Sequence, residues 1–451
     1  MNKNINFLEG DIFKGLIKLA IPIMATSFLQ MAYNLIDIIW IGRLGSLSVA
    51  AVGTAGFLMW LGMAFVIMPK IGAEVLVSQS IGKQDKINAK NSARSALQLA
   101  IFFGLIYAII LIVFNKSLIA FFNIKDEYVV KMAMEYLRII GYGVVFAFMN
   151  PVFTGIYNGY GNSSMPFKIN AIGLIINIVL DPILIFYFDM GIEGAAIATI
   201  IGQIAVSSVF IAKIKYGHDI FEEFNLFKQI DKKIIKKIIK LGLPISIKSG
   251  LFTIIAMIIA RIIAFWGPIP IAVQKIGSQL EALSWMTSEG FATATSTFVG
   301  QNYGAKNYSR VKEIYFKSLI IMTFIGLIVS ILFIVFPKQI FSIFISELEA
   351  LEQGIIYLRI LGISQMFMCV EITTSGAFNG LSKTIYPSVV SVVFNILRIP
   401  MALLFSATIL GLNGIWWAIS ISSILKGIFA FFGFLYLLKK LFSVTVIDKA
   451  S

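Results

Sequence analysis

The chain has 451 residues, of which 58% are hydrophobic and only 13% charged, and its mean hydropathy is +0.89. These values exclude a soluble protein of this length, because soluble chains contain about 25% charged residues. They indicate a helical protein that crosses a membrane many times. The net charge of +14 does not indicate nucleic-acid binding, because the Lys and Arg residues lie in short loops between apolar runs.

Apolar runs of about 20 residues, each long enough to span a bilayer, follow one another along the whole chain. They predict an all-α polytopic membrane protein with twelve transmembrane helices, whose cores are 19–41, 49–68, 97–114, 136–156, 167–188, 195–214, 241–265, 271–298, 319–336, 357–378, 387–405 and 415–437. The basic loops around Lys86 and Arg310 fall on one side and the acidic loop around Glu349 on the other. We therefore expect the inner or plasma membrane of a prokaryote, with both termini cytoplasmic.

The sequence repeats itself with a period near 221 residues. Four segments recur in the same order: 17–23 as 239–245, 136–141 as 357–362, 155–159 as 376–380, and 191–194 as 411–414. Because each half holds an even number of spans, the halves share one orientation and form a parallel repeat, an architecture of transporters. We predict an N-terminal six-helix lobe at 1–213, a basic cytoplasmic linker at 214–240 and a C-terminal six-helix lobe at 241–451.

The fifth span contains an acidic residue at a depth where charge is costly. Asn177 and Asp181 are four residues apart and share one helical face, and a carboxylate there costs on the order of 2.5–3.5 kcal/mol on insertion scales. Pro182 follows directly and removes the usual hydrogen-bond partner of the Ile178 carbonyl. An acid, an amide and a freed carbonyl so close together indicate a cation site.

Comparing the two halves in register separates the acids from the helix signals. Asp37 corresponds to Ile259, Asp181 to Ile399 and Thr199 to Ile419, whereas Asn177 and Pro182 are repeated as Asn395 and Pro400. The shared fold does not require the three oxygen-bearing side chains. They are therefore predicted to be a functional addition to the N-terminal lobe.

The polar groups of this lobe suit a hard cation or a proton. They offer carboxylate, amide and hydroxyl oxygens and no imidazole or thiolate, which a transition metal would favour. Two acids in a low-dielectric site also repel each other, so we expect one of them to accept a proton near neutral pH. The first span adds a polar stripe of Gln30, Asn34 and Asp37, with Tyr33 one turn before Asp37.

These features resemble the multidrug and toxic compound extrusion (MATE) family. The resemblance rests on the two six-span halves, the Gln-Asn-Tyr-Gly-Ala box at 301–305 with its weaker partner at 79–82, and the paired Gly-x-x-Asn-Gly segments. It covers essentially the whole chain. It implies a twelve-helix antiporter with a V-shaped cavity between its lobes, which needs no cofactor and exports amphipathic, often cationic small molecules in exchange for protons or sodium.

The resemblance also implies site residues. In members of the archaeal and DNA-damage-inducible type, the matching positions form an ion site in the N-terminal lobe, here Asp37, Asn177, Asp181 and Thr199, where sodium could bind. Asn158 of the fourth-span Gly-x-x-Asn-Gly is assigned to the same neighbourhood. Gln30, Tyr33, Asn34 and Glu281 are expected to line the substrate cavity. We expect the protein to act as a monomer within the lipid bilayer.

The second half departs from the pattern of those family members that bind sodium there. Its seventh span has no acid, only Lys248 and Arg261, and Arg398 in the eleventh span would repel a cation. Glu371 in the tenth span cannot be aligned to a sodium ligand. We therefore expect no sodium site in this half, and we expect Lys248 to extend its ammonium group toward the membrane surface.

Three other functions are less well supported. A flippase for a lipid-linked saccharide would favour fourteen spans and a cationic cavity, whereas this chain shows twelve spans and acids. An intramembrane enzyme would need a metal or nucleophile motif within the spans, and neither His-Glu-x-x-His nor Gly-x-Ser-x-Gly occurs. A channel would need a repeated polar filter loop. The preferred hypothesis is antiport, in which protonation of Asp181, coupled to Asp37, reshapes the first and fifth spans and releases substrate.

Overall fold

The computed structural model describes residues 7–124, 126–216, 224–345 and 347–447, and every regular element within these ranges is a helix. The helices are α1 (Ile12–Gly42), α2 (Ser46–Gly82), α3 (Lys86–Val113), α4 (Asn115–Ala120), α5 (Glu127–Tyr160), α6 (Ser164–Pro182), α7 (Gly191–Tyr216), α8 (Lys232–Ala264), α9 (Pro268–Gly304), α10 (Tyr308–Val335), α11 (Pro337–Phe341), α12 (Leu348–Gly380), α13 (Ile385–Ser406) and α14 (Leu412–Ile447). A π-helical turn at Ile183–Tyr187 continues α6.

Eleven of the described helices are long and apolar enough to cross a membrane. The remaining long helix, α9, has 37 residues but is more polar, because Gln274, Lys275 and Glu281 lie within it. With α9 as the twelfth span, the predicted all-α membrane fold is confirmed. The outward face of α10 illustrates the lipid-facing surface, since Ile320, Phe324 and Ile331 form one exposed apolar stripe.

The chain divides into two compact units. The first is Ile21–Ser246, and the second combines the described residues of Asn6–Ala20 and Ile247–Ser451. Helix α1 passes from the second unit to the first just before Pro22, and α8 changes unit just after its counterpart Pro244. Helix α7 ends at Tyr216 and α8 begins at Lys232, so the predicted linker contains helical residues at both ends. Residues 217–223 of that linker lie outside the described residues.

Each unit is built around one central helix. In the first unit α5 packs against α2, α3 and α7, and α6 packs against α7; in the second unit α12 packs against α9, α10 and α14, and α13 packs against α14. Each unit also contains one short helix, α4 or α11, before its central helix. The order of elements therefore repeats between the units, as the sequence repeat predicted.

The repeated Gly-x-x-Asn-Gly segments are the places where the central helices approach their neighbours most closely. A Cβ atom added to Gly159 would lie 2.5 Å from the Glu74 carbonyl oxygen, and one added to Gly380 would lie 2.5 Å from the Ser296 carbonyl oxygen. Small residues allow such backbone-to-backbone contact between membrane helices. These glycines therefore set the spacing between α5 and α2 and between α12 and α9.

The turn that follows α2 is built in the same way as the turn that follows α9. Gln84 and Lys306 both adopt a left-handed conformation with φ of 59°. Asp85 and Asn307 follow them and accept a hydrogen bond from the third backbone N–H of the next helix, which caps α3 and α10. The repeated boxes at 79–82 and 301–304 thus end equivalent helices.

We expect Gly159→Ala to lower the melting temperature of the purified protein, because the added methyl group would force α5 away from the α2 backbone. Overpacking of this kind costs about 1–3 kcal/mol. The matched control is Gly53→Ala in α2, where a Cβ meets nothing within 4 Å and where alanine has the better helix propensity. Equal melting temperatures for the two variants would contradict the close contact.

Candidate functional site

The polar group predicted in the fifth span lies at the C-terminal end of α6. Asn177 and Asp181 are both completely buried, and the Asn177 side-chain amide donates to the Asp181 carboxylate over 3.0 Å. Pro182 ends α6 and is followed by the π-helical turn Ile183–Tyr187. A proline lacks the N–H that would continue the regular pattern, and π turns commonly occur at functional sites. The irregular backbone therefore begins directly beside the buried acid.

Helix α1 brings the second acid to the same place. Asp37 lies near the C-terminal end of α1, with Tyr33 one turn before it, and the two carboxyl groups of Asp37 and Asp181 interact electrostatically. Tyr33 interacts with both acids. Within the described residues no Lys or Arg forms an ion pair with either acid. The site therefore combines two carboxyl groups without a cationic partner.

Helix α7 supplies the third oxygen that the repeat comparison singled out. Gly191 has a φ of 53°, and a Cβ on Gly194 would lie 2.7 Å from the Leu184 carbonyl carbon. These two glycines let the first turn of α7 rest on the π-helical turn, and Thr199 two turns later lies beside Tyr33. The Thr199 hydroxyl is close enough to interact with the Tyr33 hydroxyl, although their geometry does not meet hydrogen-bond criteria.

Several buried oxygen atoms of this cluster have no hydrogen-bond partner among the described residues. They are Tyr33 Oη, Asp37 Oδ1, Asn177 Oδ1, Asp181 Oδ2 and Thr199 Oγ1. Buried polar atoms are almost always paired, because an unpaired one loses its interaction with water and gains nothing. Five oxygens on three helices that share this condition form a set of ligands suited to a cation or a proton.

The chemistry of this oxygen cluster fits an alkali ion better than a transition metal. Carboxylate, amide and hydroxyl oxygens are ligands for hard cations. Within the described residues no group of three or more His, Cys, Asp or Glu side chains could hold a metal ion. A proton fits equally well, because either carboxyl group could carry it.

Tyr136 belongs to the same cluster and was not predicted as a site residue. It is buried on α5 and interacts electrostatically with Asp37, Asp181 and Tyr33. The sequence contained a signal for it, since Tyr136 opens one of the repeated segments and recurs as Tyr357. In the second unit the Tyr357 hydroxyl donates to Glu281 over 2.5 Å. Both central helices therefore present a tyrosine to an acid.

A small cavity of about 30 Å³ lies between the helices that carry the cluster. It is lined by Gln30 and Tyr33 of α1, by Asn170, Gly173 and Leu174 of α6, and by Gly202, Gln203 and Val206 of α7, together with Thr26 and Leu29. The volume is enough for one or two water molecules. Tyr33 lines this cavity and also interacts with the acids, so it connects the cavity with the oxygen cluster.

The structure does not bring every predicted site residue to this cluster. Asn158 is buried on α5, but it lies 22 residues after Tyr136, which corresponds to about 33 Å along a helix. It stands between the glycines that contact α2, so the structure places it at a packing point away from the acids. Asn34, which is exposed, and Glu281, which belongs to the second unit, were predicted for the substrate cavity and not for this cluster, and that assignment stays a prediction.

The second unit has an apolar cluster where the first has its acids. Ile259, Ile399 and Ile419, the counterparts of Asp37, Asp181 and Thr199, lie together in one hydrophobic cluster with Trp416. All three positions therefore differ in the same way between the units, with side-chain oxygens in the first unit and methyl groups in the second.

Lys248 does not extend toward the membrane surface as expected. Its ammonium group instead pairs with Glu371 on α12 over 3.2 Å. The prediction was wrong because this buried partner lies 123 residues away in the sequence.

The repeat and the site lead to one known group of proteins. The MatE family profile matches residues 22–183 and again residues 244–404. The chain belongs to the MatE family. The two matches begin and end at positions 222 and 221 residues apart, in agreement with the internal period. Members of this family are membrane transporters that need no cofactor, so the predictions of a transporter and against an enzyme are confirmed.

Individual relatives cover nearly the whole chain. The "Probable multidrug resistance protein NorM" of Thermotoga maritima is 27% identical over 417 residues, which are 90% of this chain and 88% of that protein. The "Multidrug export protein MepA" of Staphylococcus aureus is 22% identical over 423 residues, 92% of each chain. A crystal structure of a MATE protein in the bent conformation has a TM-score of 0.93 and 27% identity, and covers 99% of this chain and 100% of that one.

We expect Thr199→Val to leave the melting temperature of the protein unchanged or to raise it, measured in potassium buffer without sodium. The unpartnered buried hydroxyl costs stability, and removing it should gain up to about 1 kcal/mol. Thr154→Val is the control, because the Thr154 hydroxyl donates to the Asn150 carbonyl over 3.0 Å and accepts from Asn170. A larger loss for Thr199→Val than for Thr154→Val would show that the Thr199 hydroxyl is structural.

Proposed function

We propose that this MatE-family transporter is a cation-coupled multidrug efflux antiporter that works by alternating access, with its coupling ion in the first unit. The observation that carries the proposal is the set of five buried, unpartnered oxygens on α1, α6 and α7. Unpaired buried oxygens lower the stability of the folded protein, and a bound proton or cation restores that stability. Such a site is therefore expected to bind one.

The coupling follows from the position of the two acids on different helices. When both are ionised, Asp37 on α1 and Asp181 on α6 repel each other and hold α1 away from α6. A proton or a sodium ion neutralises this repulsion and draws the oxygens of the three helices together. Because α1 also carries Gln30 and Tyr33 of the adjoining cavity, ion binding moves the polar face of α1 beside which we propose that the substrate binds, and so expels the substrate. Substrate and ion therefore compete through the position of α1.

The proposed ligands of the ion are Asp37, Asn177, Asp181 and Thr199, with Tyr33 and Tyr136 beside them. Sodium would be held by the carboxylate, amide and hydroxyl oxygens, and a proton would reside on one of the two carboxyl groups. The proposal leaves both coupling ions as candidates. Asn158 is not included, because it lies at the contact between α5 and α2.

The proposed substrates are amphipathic, cationic small molecules. This follows from the acids of the first unit and from relatives that are named multidrug resistance and multidrug export proteins. We further propose that the transporter acts as a monomer in a prokaryotic plasma membrane, with both termini and the linker at 214–240 in the cytoplasm. The proposed lobes are the halves 1–213 and 241–451, although the described residues of Asn6–Ala20 group with the second unit and α8 groups with the first unit as far as Ser246. The excess of Lys and Arg in the loops on that side supports this orientation.

We expect Asp181→Asn to abolish drug resistance in cells that lack their own efflux pumps, while leaving the amount of protein in the membrane unchanged. The amide cannot exchange a proton and removes the charge that a sodium ion would need. Asp189→Asn is the matched control, because Asp189 is exposed and its left-handed conformation suits asparagine. Resistance at the wild-type level in Asp181→Asn cells would refute the coupling role.

Purified protein in liposomes should transport a cationic dye only when a proton or sodium gradient is imposed. The two gradients are applied separately, with the membrane potential clamped, and the one that drives uptake identifies the coupling ion.

Thr199→Val should weaken sodium-driven transport strongly and proton-driven transport much less, because the hydroxyl is a ligand for sodium only. Dye transport that depends on neither gradient would contradict antiport.

A further inference from the structure

A second group of charges lies inside the second unit, and no step proposed above uses it. Five helices each contribute one member: Lys248 on α8, Glu281 on α9, Glu371 on α12, Arg398 on α13 and Lys426 on α14. The electrostatic interactions of Arg398 and Lys426 connect all five groups. Charged side chains within membrane helices are costly and are commonly functional.

The carboxyl groups of this cluster are already engaged. Glu371 pairs with Lys248 over 3.2 Å. Glu281 accepts hydrogen bonds from Tyr357 over 2.5 Å and from Gln365 over 3.5 Å. Within the described residues no carboxylate lies within 4.0 Å of Arg398 or Lys426. Three cations and two carboxyl groups leave one positive charge in excess when all five are ionised.

Arg398 is held in place but keeps most of its donors. It is 7% exposed, and it donates to Ser422 over 3.0 Å and to Ser423 over 3.5 Å. A guanidinium group has five N–H donors in a planar fork that matches carboxylate and phosphate oxygens. The two serines orient this fork and leave three donors for a further partner.

Lys426 lies one turn after Ser422 on the same face of α14. It is also 7% exposed, and within the described part of the chain its ammonium group has no hydrogen bond and no ion pair. An unpaired buried ammonium is costly. Lys426 and Arg398 are therefore two buried cations that interact with Glu281 and Glu371 only at longer range and form no ion pair among the described residues.

We propose that Arg398 and Lys426 bind the anionic head group, a carboxylate or a phosphate, of an amphipathic molecule. The fork of Arg398 binds two of its oxygens and Lys426 neutralises its charge. Lys248, whose side chain is 28% exposed, forms the accessible edge of the cluster. The tail of the ligand lies among apolar membrane helices, so the ligand is amphipathic.

This anion site extends the range of molecules that the transporter handles beyond cations. Among the described residues, the cluster of Asp37 and Asp181 has carboxyl groups without an ion-paired cation, whereas the cluster of the second unit has cations in excess. A zwitterionic or anionic amphiphile would find its counter-charge at the cluster of the second unit and not beside Asp37 and Asp181. The inference does not depend on the coupling site, because it concerns other helices and other residues.

Binding of octanoate, octylammonium and octanol to the whole protein in phosphatidylcholine nanodiscs tests the proposal. The three probes share one tail length and differ in head-group charge, and tryptophan fluorescence reports their binding. We expect octanoate to bind at least tenfold more tightly than octanol. Octylammonium, a cation that the acids of the first unit would attract, should bind equally well to the wild-type protein and to Lys426→Met. Octanoate that binds no more tightly than octanol to the wild-type protein would overturn the proposal without any variant.

Two substitutions on one helix locate the site. Lys426→Met should lower the affinity for octanoate at least tenfold, and Lys426→Arg should retain most of it. Lys439→Met is the matched control, because Lys439 is an exposed lysine of the same helix, and its affinity should equal that of the wild type. An unchanged affinity in a folded Lys426→Met protein would overturn the proposal. Asp181→Asn should bind octanoate normally, so a failure of the coupling site would be recognised separately.

Nanodiscs that contain phosphatidylglycerol distinguish a soluble amphiphile from a membrane lipid. If a lipid phosphate fills the site, the difference in octanoate affinity between the wild-type protein and Lys426→Met should disappear in these nanodiscs. If only soluble amphiphiles bind, the difference should persist. Either result supports an anion site, and the comparison shows whether its ligand is a membrane lipid or a soluble amphiphile.

Discussion

The interior of a membrane protein cannot leave charges and polar atoms without compensation, and this constraint explains both polar clusters of the chain. A carboxylate or an ammonium group among apolar helices has lost its water and must find a counter-charge, a proton or a ligand. Around Asp37 and Asp181 no basic side chain among the described residues supplies it. Lys248, in contrast, has its counter-charge within the protein, because Glu371 pairs with it. The charged groups without a counter-charge in the protein are therefore the ones expected to bind a proton, an ion or a ligand.

The two units use one frame for different chemistry. The turns after α2 and α9, the close contacts of Gly159 and Gly380, and the tyrosines Tyr136 and Tyr357 recur at equivalent places. The frame needs only small residues, capping side chains and apolar faces, so the remaining inward positions are free to differ. The first unit fills some of them with oxygens, and the second fills the same positions with isoleucines and places its charges elsewhere.

The sequence identified much of the acidic site because the repeat provides an internal control. Asp181 and Thr199 differed from their counterparts, whereas Asn177 and Pro182 did not, and this comparison separated the acid and the hydroxyl from the signals of helix geometry. Asn158 was assigned to the same neighbourhood through the family resemblance and not through this comparison. It stands between glycines that are repeated in both halves, and those glycines serve helix packing. Tyr136 was overlooked because its role depends on its distance from acids on two other helices.

The sequence by itself determined the membrane-spanning helices, the two-fold repeat, the family and the acids of α1 and α6. These follow from local composition, from helical periodicity and from similarity between segments. Only the tertiary structure decided which charges meet. The Lys248–Glu371 pair joins residues 123 positions apart, and the pairing of a buried charge depends on packing between helices that no local pattern records. The same holds for Lys426, which became distinctive only because Arg398 lies near it and no carboxylate among the described residues forms an ion pair with it.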